Sequence, residues 1–171
     1  KSRLDTLRDL LHDSTFLKYN AWAKREKGVL SKLWCAFDNL EDTIKAVNEF
    51  ISIKSVNQLV LFGLLQAMVV QQDAVKHLEE ATGNAVTEFT ESSPLMLIRN
   101  VRDETVGHPS NTVRANGKSS YANGTITYTS LGASAANEML EYVVWSKEGS
   151  RISKVDLMDL INKQDKALAI I

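Results

Sequence analysis

A chain of 171 residues with 44% hydrophobic and 24% charged residues has the size and balance of one folded domain, which excludes a disordered or fibrous protein. Lysine and arginine total 20 against 21 aspartate and glutamate, so no global positive field draws in nucleic acid, and any RNA or DNA partner needs a local basic site. Cys35 is the only cysteine; an internal disulfide framework and a multi-cysteine zinc site are ruled out, and a reducing compartment fits best.

The opening KSRLDTLRDLLHDS is mixed in charge, without the apolar centre of a signal peptide. Leu4, Leu7 and Leu11 predict an amphipathic accessory helix within residues 1–27, broken at Gly28. Helical periodicity then recurs in Leu30, Leu33, Phe37, Leu40, Ile44, Val47 and Ile51, at alternating steps of three and four, the pattern of a seam for partner helices. Residues 56–81 form the next helix, apolar on nearly all sides in its first half, with Gly63 expected to allow close approach of a neighbour. Its apolar run, residues 59–70, is interrupted by Gly63 and Gln66 and is shorter than the ~20 residues that span a bilayer. The expectation is therefore a cytoplasmic protein with no membrane contact.

Thr82-Gly83-Asn84 closes that helix, and Ser93 before Pro94 has the form of an N-cap with proline at the first helical position, opening a helix over residues 94–106. Asn116-Gly117 and Asn123-Gly124 are turn dipeptides in a Thr-, Ser- and Tyr-rich stretch, predicting a small hairpin within residues 111–130. A two-residue turn at Asn123-Gly124 pairs Tyr121 with Ile126 and Ser119 with Tyr128. Two further helices are expected over residues 135–147 and 154–170, the second opened by Ser153 and Asp156 as a capping box. The predicted fold is all-α: a single antiparallel helical bundle over residues 1–171 with a β-hairpin inserted after the helix that begins at Pro94.

Chemistry concentrates at residues 99–109. At 100° per residue, Leu95, Ile98 and Val106 gather on one side of that helix, Asn100, Asp103 and Glu104 on another, and Arg102 falls among the apolar group. A guanidinium directed into a bundle needs a carboxylate, a carbonyl, water or a bound anion to replace its hydration. His108 follows Gly107 and precedes Pro109, so it stands where the helix is forced to end and its imidazole can turn towards Arg102. The bland reading of the pair is an internal ion pair for Arg102 and a carbonyl-capping histidine.

Arg102-Asp103 through His108, with five residues between the arginine and the histidine, resembles the HEPN superfamily. Its motif is an arginine, usually followed by Asn, Asp or His, then a histidine after four to six intervening residues. The resemblance spans approximately residues 30–170 and implies a helical bundle carrying a metal-independent endoribonuclease, toxin or defence related, assembled as a homodimer without a cofactor. It assigns the catalytic roles to Arg102 and His108, with Asp103 as the polar companion that orients the histidine or the arginine; Arg99 and Asn100, beside them, are expected as substrate contacts. It also implies RNA and an antitoxin or other protein as partners. The alternative is a non-catalytic HEPN-like module that binds a protein or nucleotide through the same pocket. A toxin branch carries tyrosine two residues after the histidine; Ser110 stands there, so regulation through that tyrosine is not implied.

Elsewhere the sequence is quieter. His12 and His77 lack a cluster of metal ligands, Cys35 beside Trp34 reads as a packed thiol, and Asp38, Glu41 and Asp42 as a solvated helix face. Tyr121 and Tyr128 are expected to pack on the bundle rather than to stack on bases.

Overall fold

The computed structural model describes Thr6, Asp9 and residues 28–53, 56–107, 112–113, 119–120, 123–126, 139–146 and 149–168. The accessory helix expected within residues 1–27 lies outside these apart from Thr6 and Asp9, both helical, and His12, Tyr121 and Tyr128 lie outside them altogether. Helix α1 is Val29–Ser52, α2 is Gln58–Thr82 and α3 is Pro94–Arg102, continued by a π-helical turn, Asp103–Gly107. Among the described residues, five strands follow: β1 (Thr112–Val113), β2 (Ser119–Ser120), β3 (Asn123–Ile126), β4 (Met139–Ser146) and β5 (Gly149–Asp156), then helix α4, Leu157–Leu168. The chain forms two compact units, Lys1–Ile44 with Val70–Thr87, and Lys45–Val69 with Glu88–Ile171.

In the first unit the beginning of α1 packs on the end of α2. Val29, Leu33 and Phe37 meet Ala81, and Ala36 and Leu40 meet Ala74. The buried stripe of α1 as a whole runs Val29, Leu33, Ala36, Leu40, Thr43, Val47, Phe50, a strict alternation of four and three. It lies one residue from the expected seam at its far end, where Phe50 is buried and Ile51 is 44% exposed. Thr43 is tolerated in this stripe because its hydroxyl donates to the Asn39 carbonyl at 2.6 Å. Cys35 is exposed rather than packed, since the stripe passes through Ala36 and leaves position 35 on the open side.

Helix α2 starts on Asn57, whose Oδ1 accepts the Val60 amide at 3.0 Å. It ends where Gly83, at φ +75°, lets the Asn84 amide donate to the Glu79 carbonyl at 2.9 Å and its own amide to Glu80 at 3.2 Å. By length and composition α2 can cross a bilayer, but its Leu61, Leu64, Leu65 and Met68 lie in the core of the second unit. Gly63 does not serve a close approach: a β-carbon built there meets nothing within 4 Å. Gly63→Ala is therefore expected to raise stability by roughly 0.5–1 kcal/mol, because alanine loses less backbone freedom in a helix interior. A shift of the urea midpoint at unchanged slope measures it.

In the second unit, Val47, Phe50 and the four α2 residues join Ile98 and Val101 of α3, Leu140, Tyr142 and Val144 of β4, and Leu157, Leu160 and Ile161 of α4 around one core. Gln164 on α4, itself buried, donates to the Met68 carbonyl at 3.2 Å.

The C-terminal part corrects the all-α expectation: the described chain is mainly helical but carries two antiparallel sheets, β1-β2 and β3-β4-β5. Within the stretch expected as helix 135–147, Met139–Ser146 is a strand whose alternate residues Leu140, Tyr142 and Val144 face the core. Period two and a Tyr-Val-Val-Trp run prevail there over helical length. Ser146 pairs with Gly149, whose φ of +128° favours glycine, and β5 runs back along β4 through residues expected to begin the last helix. That helix starts at Leu157, with Asp156 Oδ1 accepting the Asp159 amide at 2.9 Å; Ser153 sits mid-strand and takes no part in a capping box.

The inserted hairpin is present with a different register. Thr112 pairs with Ser120 and Val113 with Ser119, bracketing Asn116-Gly117. Asn123-Gly124 is no turn; both residues lie in β3, opposite Trp145 and Val144 of β4.

Candidate functional site

The site grows from the start of α3. Ser93 Oγ accepts the Leu95 amide at 3.2 Å and Pro94 occupies the first helical position, as its fixed φ and missing N–H allow. The face that α3 buries is Leu95, Ile98 and Val101, continued by Glu104 and Thr105 in the π-helical turn. Arg102 is one residue, or about 100°, past Val101 and lies at the edge of this stripe instead of within it. Its side chain is 29% exposed, which corrects the core-facing position expected from grouping it with Leu95, Ile98 and Val106.

Three hydrogen bonds fix the Arg102 guanidinium. Its Nε and Nη2 donate to Gln66 Oε1 of α2, at 3.1 and 3.0 Å, and its Nη1 donates to Asp103 Oδ1 at 2.6 Å. Gln66, read from sequence only as an interruption of an apolar run, is thus the residue on which the arginine rests. Asp103 orients Arg102 directly and is half-exposed. Arg99, one turn earlier on α3, places its guanidinium over the Phe89 ring, 5.4 Å from the centroid, while Asn100 is exposed. His108 lies outside the described residues, as do Pro109 and Ser110.

Glu104 departs most from expectation. Placed by helical phase with Asn100 and Asp103, apart from the apolar side, it is buried. Tyr142 of β4 donates its phenol to Oε2 at 2.9 Å, and Arg151 of β5 donates Nη2 to Oε1 at 2.5 Å. Arg151 Nη1 also donates to Ser153 Oγ at 2.8 Å, and Ser153 lies opposite Tyr142 in the sheet and is hydrogen-bonded to its phenol. The four side chains close a ring that ties the π-helical turn to β4 and β5. No sequence signal placed Glu104 here, because Tyr142 stands in a stretch read as helix and Arg151 in the gap between two predicted helices.

Burial, and then the adjacent Glu104 carboxylate, push the Tyr142 phenol up to about 12 from its ordinary 10.0. The fold favours the protonated phenol, so its stabilising contribution is complete below pH ~10 and is lost as pH rises through about 12. In an ultraviolet titration Tyr142 should ionise with a midpoint near 12, a step that Tyr142→Phe removes, and the urea midpoint should fall between pH 10 and 12 in the parent but less in that variant.

Among the described residues, no group of three His, Cys, Asp or Glu side chains is placed to hold a metal ion. No family model matches the chain, and neither does any curated protein or solved structure.

Proposed function

We propose that this chain is a HEPN-like, metal-independent endoribonuclease, toxin or defence related, that acts in the cytoplasm as a homodimer. The observation that carries the reading is the Arg102 guanidinium. It is held from two sides at a half-exposed helix end, six residues before His108, with three of its five N–H groups engaged among the described residues. A bound phosphate is the ligand chemistry that suits a pre-oriented, accessible arginine of this kind.

In the proposed reaction the ribose 2′-oxygen attacks the adjacent phosphorus and its proton passes to His108. Negative charge accumulates on the pentacoordinate phosphorane, where Arg102 offsets it. The bond from phosphorus to the 5′-oxygen breaks, that oxygen takes a proton from His108 of a second copy, and the products are a 2′,3′-cyclic phosphate and a 5′-hydroxyl. Asp103 aligns the arginine, while Arg99 and Asn100 extend the contact along the backbone of the substrate. The requirement for a 2′-hydroxyl leaves DNA uncut.

The test is cleavage of end-labelled RNA by purified protein in excess chelator, with DNA of the same sequence as the control. Cleavage of RNA alone, with cyclic-phosphate ends, supports the reading. Intact RNA with retained, Arg102-dependent binding would replace it with the non-catalytic module.

A further inference from the structure

Arg102, Asp103 and Glu104 are consecutive, yet they are gripped from different sides. Arg102 is tied to Gln66 of α2, and Glu104, two residues on, to Tyr142 and Arg151 of the sheet. Between these ties the backbone takes π-helical form, with hydrogen bonds spaced five residues apart. Thr105 donates its hydroxyl to the Val101 carbonyl at 2.7 Å, the carbonyl its own amide would take in an α-helix. A π-helical turn carries one residue more than an α-helical one. Relaxation to α-helix would rotate everything after it by about 100°, the angle of one residue.

We propose that Glu104, Tyr142 and Arg151 are positioning residues: a clamp that sets the rotational phase of the π-helical turn, and with it the placement of Asp103, the first residue of that turn and the partner of Arg102. The catalytic consequence rests on the ribonuclease reading; the structural consequence does not. A carboxylate buried at the core edge and bonded by a phenol and a guanidinium is a stronger tether than a neutral hydrogen bond. Its loss frees the turn while α3, anchored separately by Leu95, Ile98 and Val101, keeps its place.

Tyr142→Phe and Glu104→Gln keep the shape of the clamp and remove its bonding. Hydrogen exchange of the amides at 105–107, the Arg102 Nε–H resonance, and steady-state cleavage of RNA are measured for each. The expected result is exchange at 105–107 accelerated at least ~10-fold. The Arg102 resonance should shift, and kcat should fall roughly 10- to 100-fold with KM changed less than about twofold, the signature of a misaimed group rather than a lost contact. A merely structural role would lower the melting temperature and leave kcat, KM and the exchange at 105–107 as in the parent protein. Unchanged exchange and resonance in both variants overturn the clamp; faster exchange with unchanged kcat overturns its catalytic consequence. Arg151→Gln, at a side chain 60% exposed, supplies the same measurements if Glu104→Gln does not fold. If the parent protein leaves RNA intact, the ribonuclease reading fails, and exchange and resonance alone still decide the clamp.

Discussion

If the chain is the proposed ribonuclease, replacing His108 with alanine is expected to lower the rate of RNA cleavage by roughly 10²–10⁴-fold, the usual contribution of a positioned proton donor or acceptor. Arg102→Ala should cost a similar 10²–10³-fold by removing the charge that opposes the developing phosphorane. The two losses have different characters. Without the histidine, RNA still binds a site whose guanidinium is held by Gln66 and Asp103, so KM changes little. Without the arginine both binding and rate decline, and the salt dependence of binding becomes shallower by about one phosphate contact. Arg102→Lys should recover binding better than rate, because an ammonium matches the charge of the guanidinium but not its fork. Single-turnover cleavage in chelator, with the urea midpoint of every variant measured alongside, checks these expectations. Equal cleavage by both alanine variants and the parent would remove Arg102 and His108 from the chemistry.

How much of this was legible in the sequence depended on whether the decisive interaction is local. The caps of α3 and α2 follow from side chains within a few residues of the backbone groups they satisfy, and Ser93-Pro94 and Gly83-Asn84 perform as their chemistry requires. The long helix α1 was legible because a 3.5-residue repeat sustained over seven positions has no strand counterpart, and α2 because its apolar run continues well past the length of a strand. By contrast, the stretch from Met139 to Asp156 carries both a helix-compatible length and a period-two alternation. Pairing with a distant segment, β3, is part of what settles it as strand. The Tyr142-Val143-Val144-Trp145 run and a glycine three residues beyond Ser146 were the available signals.

At the site, the segment around Arg102 was legible but its phase was not. Val101 was the missing member of the apolar stripe, and counting Val106 in its place turned Arg102 inward and Glu104 outward. The π-helical turn compounds the error, since no fixed angle per residue carries through it. Gln66 and the Glu104 ring depend on side chains 36 to 47 residues away, a distance at which periodicity is silent. Buried polar partners of this kind are chosen by the tertiary fold, not announced by the local pattern.

Truncating Ile98 to alanine should have the largest effect on stability, roughly 2–5 kcal/mol. Its side chain is 0% exposed and lies in the stripe of α3 that meets α2, β4 and α4 in one core. Removal of three carbons there both forfeits apolar burial and leaves a cavity that the surrounding Leu65, Leu160 and Met68, themselves fully buried, cannot readily fill. Against a net stability of about 5–15 kcal/mol for a typical domain, such a loss is a substantial fraction of the whole. Ile152→Ala, the same chemical change on β5 at 65% exposure, should stay within ~0.5 kcal/mol. Arg102→Ala belongs with the mild cases: its half-exposed ion pair with Asp103 is worth at most about 1 kcal/mol, so its effect on RNA cleavage is separable from folding. Denaturant midpoints for the three variants distinguish these expectations. A mild Ile98→Ala would mean that α3 is not held by its buried stripe, and the position of the Arg102 guanidinium would then need another anchor than the helix that carries it.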